Sequence, residues 1–169
     1  MVPRYTGEID GFISDSKKMW QEEKATQLIH TIVPGEITIN GDRALSISTC
    51  QILARHDYEG TELDFSSWIR LVSRLAQVET NFSAEWKILT LEAVYLRDSI
   101  ALTAPSAEAR LQGIDHSRIG GFRQSYKYIS WHVSLYGSQV RDDLPGSDDQ
   151  KSVEALLARN YAWLDLARS

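Results

Sequence analysis

One cysteine, Cys50, in 169 residues leaves no partner for an internal disulfide, which fits a reducing compartment. Basic residues are also scarce. Eighteen Lys and Arg against 23 Asp and Glu give a net charge of -5 and a pI near 5.4. That balance argues against a nucleic-acid surface or anionic-membrane binding, both of which need clustered cations. No apolar run reaches the roughly 18 residues that span a bilayer, and the start MVPRYTGEID lacks the charged and apolar regions of a signal peptide. A cytoplasmic location is therefore expected, and the acceptor-like NFS at 81 to 83 reads as accidental. There is no phosphate-cradling glycine loop, no nucleophile elbow and no zinc-type pair, because His30, His56, His116 and His132 have no helical ligand spacing to one another. Any chemistry is expected to need no metal and no cofactor.

What is present is enough apolar sequence for one core: 43% hydrophobic against 24% charged residues predicts a single domain over 1–169. From Glu8 to Ala25, Ile9, Phe12, Ile13 and Trp20 recur at helical spacing, predicting a short amphipathic helix. The period then changes to two, predicting strands at about 26 to 39, 43 to 56, 62 to 77 and 84 to 97, rich in Ile, Val, Thr, Leu and aromatics. Asn40-Gly41 suits a tight type I′ turn, with longer turns around Glu59-Gly60 and Asn81-Phe82-Ser83. Four long strands in meander order make a curved sheet able to enclose a pocket. Ile119, Phe122, Tyr126, Ile129, Val133 and Tyr136 then predict one helix stopped by Gly137, with Gly120-Gly121 an irregularity at its start. RDDLPGSDD reads as a connector whose Asp148 caps a last helix, striped by Val153, Leu156, Leu157, Asn160 and Leu164.

Strand alternation sorts the candidate residues. His30 shares a face with Leu28 and Ile32, where it is either a hydrogen-bonded core histidine or a base lining a cavity. Trp68, Arg70 and Arg74 share a face with Ser66, opposite Ile69, Leu71 and Leu75, and that polar face is either outward, solvated or dimer-forming, or turned into the pocket. Strict alternation in the last strand sets Trp86, Ile88, Thr90, Glu92 and Val94 against Lys87, Leu89, Leu91, Ala93 and Tyr95. Tyr95 thus falls on the more apolar face, as core filler or as a hydroxyl that polarises a carbonyl. Asp98 is placed just past the strand, pairing with Arg97 or a neighbouring chain, and His56 at an exposed rim. Cys50 reads as a small buried residue rather than a nucleophile.

The run HTIVPGEITINGDRALS, followed by ELDFSSWIRLVSRL, WKILTLEAVYLRDSI, FRQSYKYISWHVSLYGSQVRDDLPG and a terminal AWL, resembles the SnoaL-like family of the NTF2-like superfamily. The similarity runs from about residue 7 to 164. It implies a cone-shaped α+β fold, with a curved antiparallel sheet of about four long strands wrapped by one N-terminal and two C-terminal helices. In the family's catalytic members a histidine on the corresponding strand abstracts a proton, which implies the same role for His30. The implied activity is a cofactor-independent lyase, isomerase or polyketide-cyclase-like step of secondary metabolism on a small apolar ketone-like metabolite. Tyr95 or Arg70 would polarise the carbonyl, and Trp68, Cys50 and Tyr126 would line the pocket. Relatives usually begin with further helices and a strand that carry the acidic partner. Here Asp10, Asp15, Asp64 or a partner subunit is left to supply it, and a homodimer is expected. The alternative is a non-catalytic ligand-binding or oligomerising protein of the same fold.

Overall fold

The computed structural model describes residues 9–11, 13, 14, 17, 27–58, 60–80, 83–103, 116–135 and 140–166. Its centre is an antiparallel meander in the order β1 (Gln27–Asn40), β2 (Arg43–Tyr58), β3 (Thr61–Glu79) and β4 (Ala84–Leu102). Among the described residues three helices follow: α1 (His116–Gly120), α2 (Lys127–Leu135) and α3 (Gln150–Asp165). The curved four-stranded sheet with its helices is the cone-like α+β arrangement expected. Described residues of the expected N-terminal helix, 9–11, 13, 14 and 17, are helical, and the rest of that span lies outside the described residues.

The strands form where β-branched and aromatic residues are dense, and the hairpins close on glycines. Asn40 pairs with Arg43, so the first turn pivots on Gly41 (φ 53°) and Asp42, one residue later than expected. Tyr58 pairs with Thr61 across a second tight turn, where Gly60 (φ 79°) donates its N–H to Asp57 at 2.9 Å. This turn is shorter than expected. β4 runs five residues past its expected end, because the start of β3 needs a partner: Leu63 pairs with Leu102, and Thr103 donates to the Glu62 carbonyl.

Three bulges reassign faces. Pro34-Gly35 interrupts the β1 pairing between Val33 and Glu36, while β4 carries extra residues at Leu89 and Leu96. Each bulge switches the parity of its strand. The front face therefore takes Leu28, His30 and Ile32, then Ile37 and Ile39, from β1; from β4 it takes Ile88, then Leu91 and Tyr95, then Asp98. At the β1 bulge the chain comes so close to β2 that a Cβ on Gly35 would lie 2.2 Å from the Ile47 carbonyl oxygen. Gly35→Ala is expected to cost about 1–3 kcal/mol through forced backbone displacement, read as a lower thermal midpoint. An unchanged midpoint would mean the bulge relaxes freely.

Both faces are used, at opposite ends. On the front, Cys50, Ile52, Phe65 and Ile69 pack under Tyr126 and Ile129, while Leu63 packs with Ile119 and Trp131. On the back, Leu45, Val72 and Val94 lie under Val153, Leu156 and Leu164 of α3. The connector pairs with the free edge of β4 at one point: Tyr95 N–H donates to the Pro145 carbonyl at 2.9 Å and Ser147 N–H donates back to the Tyr95 carbonyl at 2.8 Å. That bridge covers the edge at Tyr95.

The single helix expected over 119–136 is broken in two. Gly120-Gly121 ends α1, and the intervening residues are held by Asp148, which accepts from Arg123 Nη2 at 2.5 Å and Ser125 Oγ at 2.7 Å. Asp148 is thus a brace rather than the cap of α3. That cap is Asp149, whose side chain accepts from the Ser152 N–H. The expected stop at Gly137 lies outside the described residues.

Candidate functional site

His30 projects from the front of β1 opposite Ile52, and its side chain is exposed. No hydrogen bond joins it to another described residue. Desolvation lowers its pKa, which favours the neutral ring. A neutral, unengaged imidazole is the state a general base requires.

The remaining expected site residues divide between the two faces. Cys50, Tyr95 and Tyr126 join one front-face cluster with Ile52. Cys50 is 1% exposed and burial raises its thiol pKa, so it is a packing residue rather than a nucleophile. Tyr95 and Tyr126 have ring centroids 5.0 Å apart, and burial, with Tyr126 adding to it, pushes the Tyr95 hydroxyl up to about 12. It stays protonated at any physiological pH and can act only as a hydrogen-bonding group. Trp68 and Arg70, by contrast, stand on the back. The sheet lies between them and His30, so Arg70 and His30 share no pocket. Trp68 is covered by Arg97, whose Cζ lies 5.9 Å from the ring centroid, beside a shallow cavity of about 260 Å³ lined by Trp68, Arg97, Asp98 and Ser99. Asp64, one of the possible acidic partners, is on the back too, held by Arg55 at 2.8 and 3.0 Å.

Asp98 is the group that reading by alternation misplaces. The bulge at Leu96 puts it on the front face inside β4, paired with Ser67. Its Oδ2 accepts the N–H groups of Tyr128 and Ile129, each at 2.8 Å, and so caps α2 from outside the helix. Its Oδ1 is buried with no hydrogen-bond partner among the described residues, as are the hydroxyls of Ser67 and Ser130. Burial outweighs the two backbone donors and pushes the carboxyl up to about 6. Register sets His30, Ile52, Ser67 and Asp98 in one row across the four strands. Strand spacing puts about 14 Å between the ends of that row, so Asp98 does not touch His30.

A second titratable pair stands further up the same face. His132 of α2 stacks on Phe65 with centroids 6.0 Å apart, and its ring meets His56 edge-on at 4.8 Å. Burial, then His56, pushes His132 down to about 4, and burial also lowers His56. His56 is half-buried against α2 rather than exposed at a rim. Among the described residues no group of three or more His, Cys, Asp or Glu side chains could hold a metal ion. None of the described helices is long and apolar enough to cross a membrane. No family model and no curated protein matches the chain.

Proposed function

We propose that the protein is a cofactor-independent acid–base catalyst of the lyase, isomerase or cyclase type, acting on a small, largely apolar ketone-like metabolite. The observation that carries this reading is the exposed His30 imidazole, which has a lowered pKa and no hydrogen bond to another described residue, on the same sheet face as the protonated Tyr95 hydroxyl. Groups whose environments separate their protonation states divide naturally into acid and base. His30 would take a proton from a carbon next to a carbonyl. The resemblance to the SnoaL-like family and the cone-like α+β fold support such a step. The same reading includes a cytoplasmic homodimer with a small-molecule ligand and no nucleic-acid partner.

A second reading, a non-catalytic ligand-binding or oligomerising protein, is favoured by one fact: no described acidic group reaches His30. Deuterium exchange separates the two. A panel of small apolar ketones is screened for binding by ligand-observed NMR, and the binders are followed for loss of the α-proton signal in D₂O. The wild type is expected to accelerate exchange, and His30→Ala to fold normally but lose at least about a hundredfold in rate. Equal exchange by His30→Ala would remove the base assignment. Binding without exchange by the wild type would establish the second reading.

A further inference from the structure

Below the front-face core no described helix packs on this face of the sheet. One row across the four strands reads Ile39, Ala44, Leu75, Ile88, and the next reads Ile37, Ser46, Ser73, Leu91. A third, above them, brings Ser48, Leu71 and Ala93 together beside Gly35. None of these side chains is ionisable, in a chain that is 24% charged. α1 and α2 cover the other end of this face and α3 covers the back, so no described helix lies over the first two rows, while Leu71 and Ala93 of the third border the front core. Solvated strand faces carry charge, and a face without any is built to be covered.

Its relief indicates the shape of what covers it. The outer strands carry the large residues: Ile37, Ile39, Ile88 and Leu91 are 58–64% exposed. Ala44, between them, is 4% exposed, and the floor continues through Ser46, Ser48 and Ser73. The result is a groove with aliphatic walls whose floor is small along β2, at Ala44, Ser46 and Ser48, and carries Ser73 between Leu71 and Leu75 on β3. Strand spacing sets β1 and β4 about 14 Å apart, wide enough for a helix of about 10–12 Å diameter. A second flat sheet would bridge the walls and leave the floor empty.

Among the described residues, the N-terminal helical ones present exposed apolar side chains. Ile9 and Ile13, one turn apart among the N-terminal helical residues, are 65% and 42% exposed, so their own protomer leaves much of both open. We propose that this helix, from a second copy of the chain, seats Ile9 and Ile13 in the groove, and that the two copies exchange this contact about a two-fold axis. The proposal rests on the dimer reading given above and names the surface that makes it. Two-fold symmetry means each protomer gives both a groove and a helix. A seat about 14 Å across and about 20 Å along the strands falls short alone of the roughly 800 Å² per partner of a standard interface, and the second seat brings the pair toward it.

Sedimentation velocity on the intact protein, with Ile13→Lys and Ile88→Lys beside the wild type and far-UV circular dichroism as the fold control, tests this. The wild type is expected to sediment as a dimer, and each variant to become monomeric with an unchanged spectrum. Oxidised Ile13→Cys/Ser46→Cys protein is expected to give a covalent dimer. A monomeric wild type overturns both the dimer and this contact. A dimer that survives both lysines, or a disulfide formed within one chain, overturns this contact alone.

Discussion

Asn160→Leu is expected to lower the unfolding free energy by about 3 kcal/mol, because it strips two charged groups of their neutral partner at once. Asn160 is fully buried in α3, on the stripe that faces the back of the sheet. Its Oδ1 accepts from Arg74 Nε at 2.6 Å, while its Nδ2 donates to Glu92 Oε2 at 2.9 Å and to the Leu156 carbonyl at 2.8 Å. Around it Arg159 pairs with Glu92, and Arg74 also donates to the Arg159 carbonyl and lies over the Trp163 ring. Leucine has similar volume, so packing survives and the loss isolates the polar network. Asn160→Asp keeps the acceptor for Arg74 but sets a carboxylate against Glu92, and is expected to be destabilised too. Burial alone would raise the Glu92 pKa, but hydrogen bonds from Asn160 and Arg159 bring it below its ordinary value. In Asn160→Leu that carboxyl should therefore titrate at higher pH, visible by NMR. A urea midpoint within error of the wild type would show that the network contributes nothing net.

Asn160 also marks the limit of what the sequence conveys. Its place on the α3 stripe is legible from periodicity, but a polar residue there reads as a boundary until the two partners from β3 and β4 are known. The meander and the N-terminal and C-terminal helical periodicity are legible for the same reason: they depend on local spacing. Faces are not, once a bulge intervenes. Strict alternation puts Asp98 and Tyr95 on opposite sides and groups Trp86 and Ile88 with Val94. Bulges at Leu89 and Leu96 reverse both assignments, and neither leaves a glycine or proline as a signal. The β1 bulge does leave one, in Pro34-Gly35. Arg70 shows the complementary case, because alternation correctly groups it with Trp68 but cannot say which side helices will cover. His132 carries no local sign of its meeting with His56, which depends on α2 crossing the end of β2.

Over pH 4 to 6 the wild-type stability is expected to be nearly flat, because two buried groups pull in opposite directions. Asp98 titrates at about 6 when folded against 3.8 unfolded. Between those values the folded state holds more protons, so stability falls as pH rises and the penalty is complete above 6. His132 titrates at about 4 when folded against 6.5 unfolded. Between those values the unfolded state holds more protons, so stability falls as pH drops, and His56, also lowered, adds in the same direction. Removing either group exposes the other. Asp98→Asn keeps an oxygen for the Tyr128 and Ile129 amides, and is expected to be more stable than the wild type at pH 7.5 by on the order of 1–2 kcal/mol, allowing for partial solvent exposure. Its stability should then decline steadily on acidification from pH 6.5. His132→Phe retains the stack on Phe65 and should show the reverse between pH 4 and 6, a decline as pH rises, softened by His56. Urea midpoints taken across the range read both slopes. Parallel curves for the wild type and both variants would mean that neither group is coupled to folding, and that burial does not raise the Asp98 carboxyl.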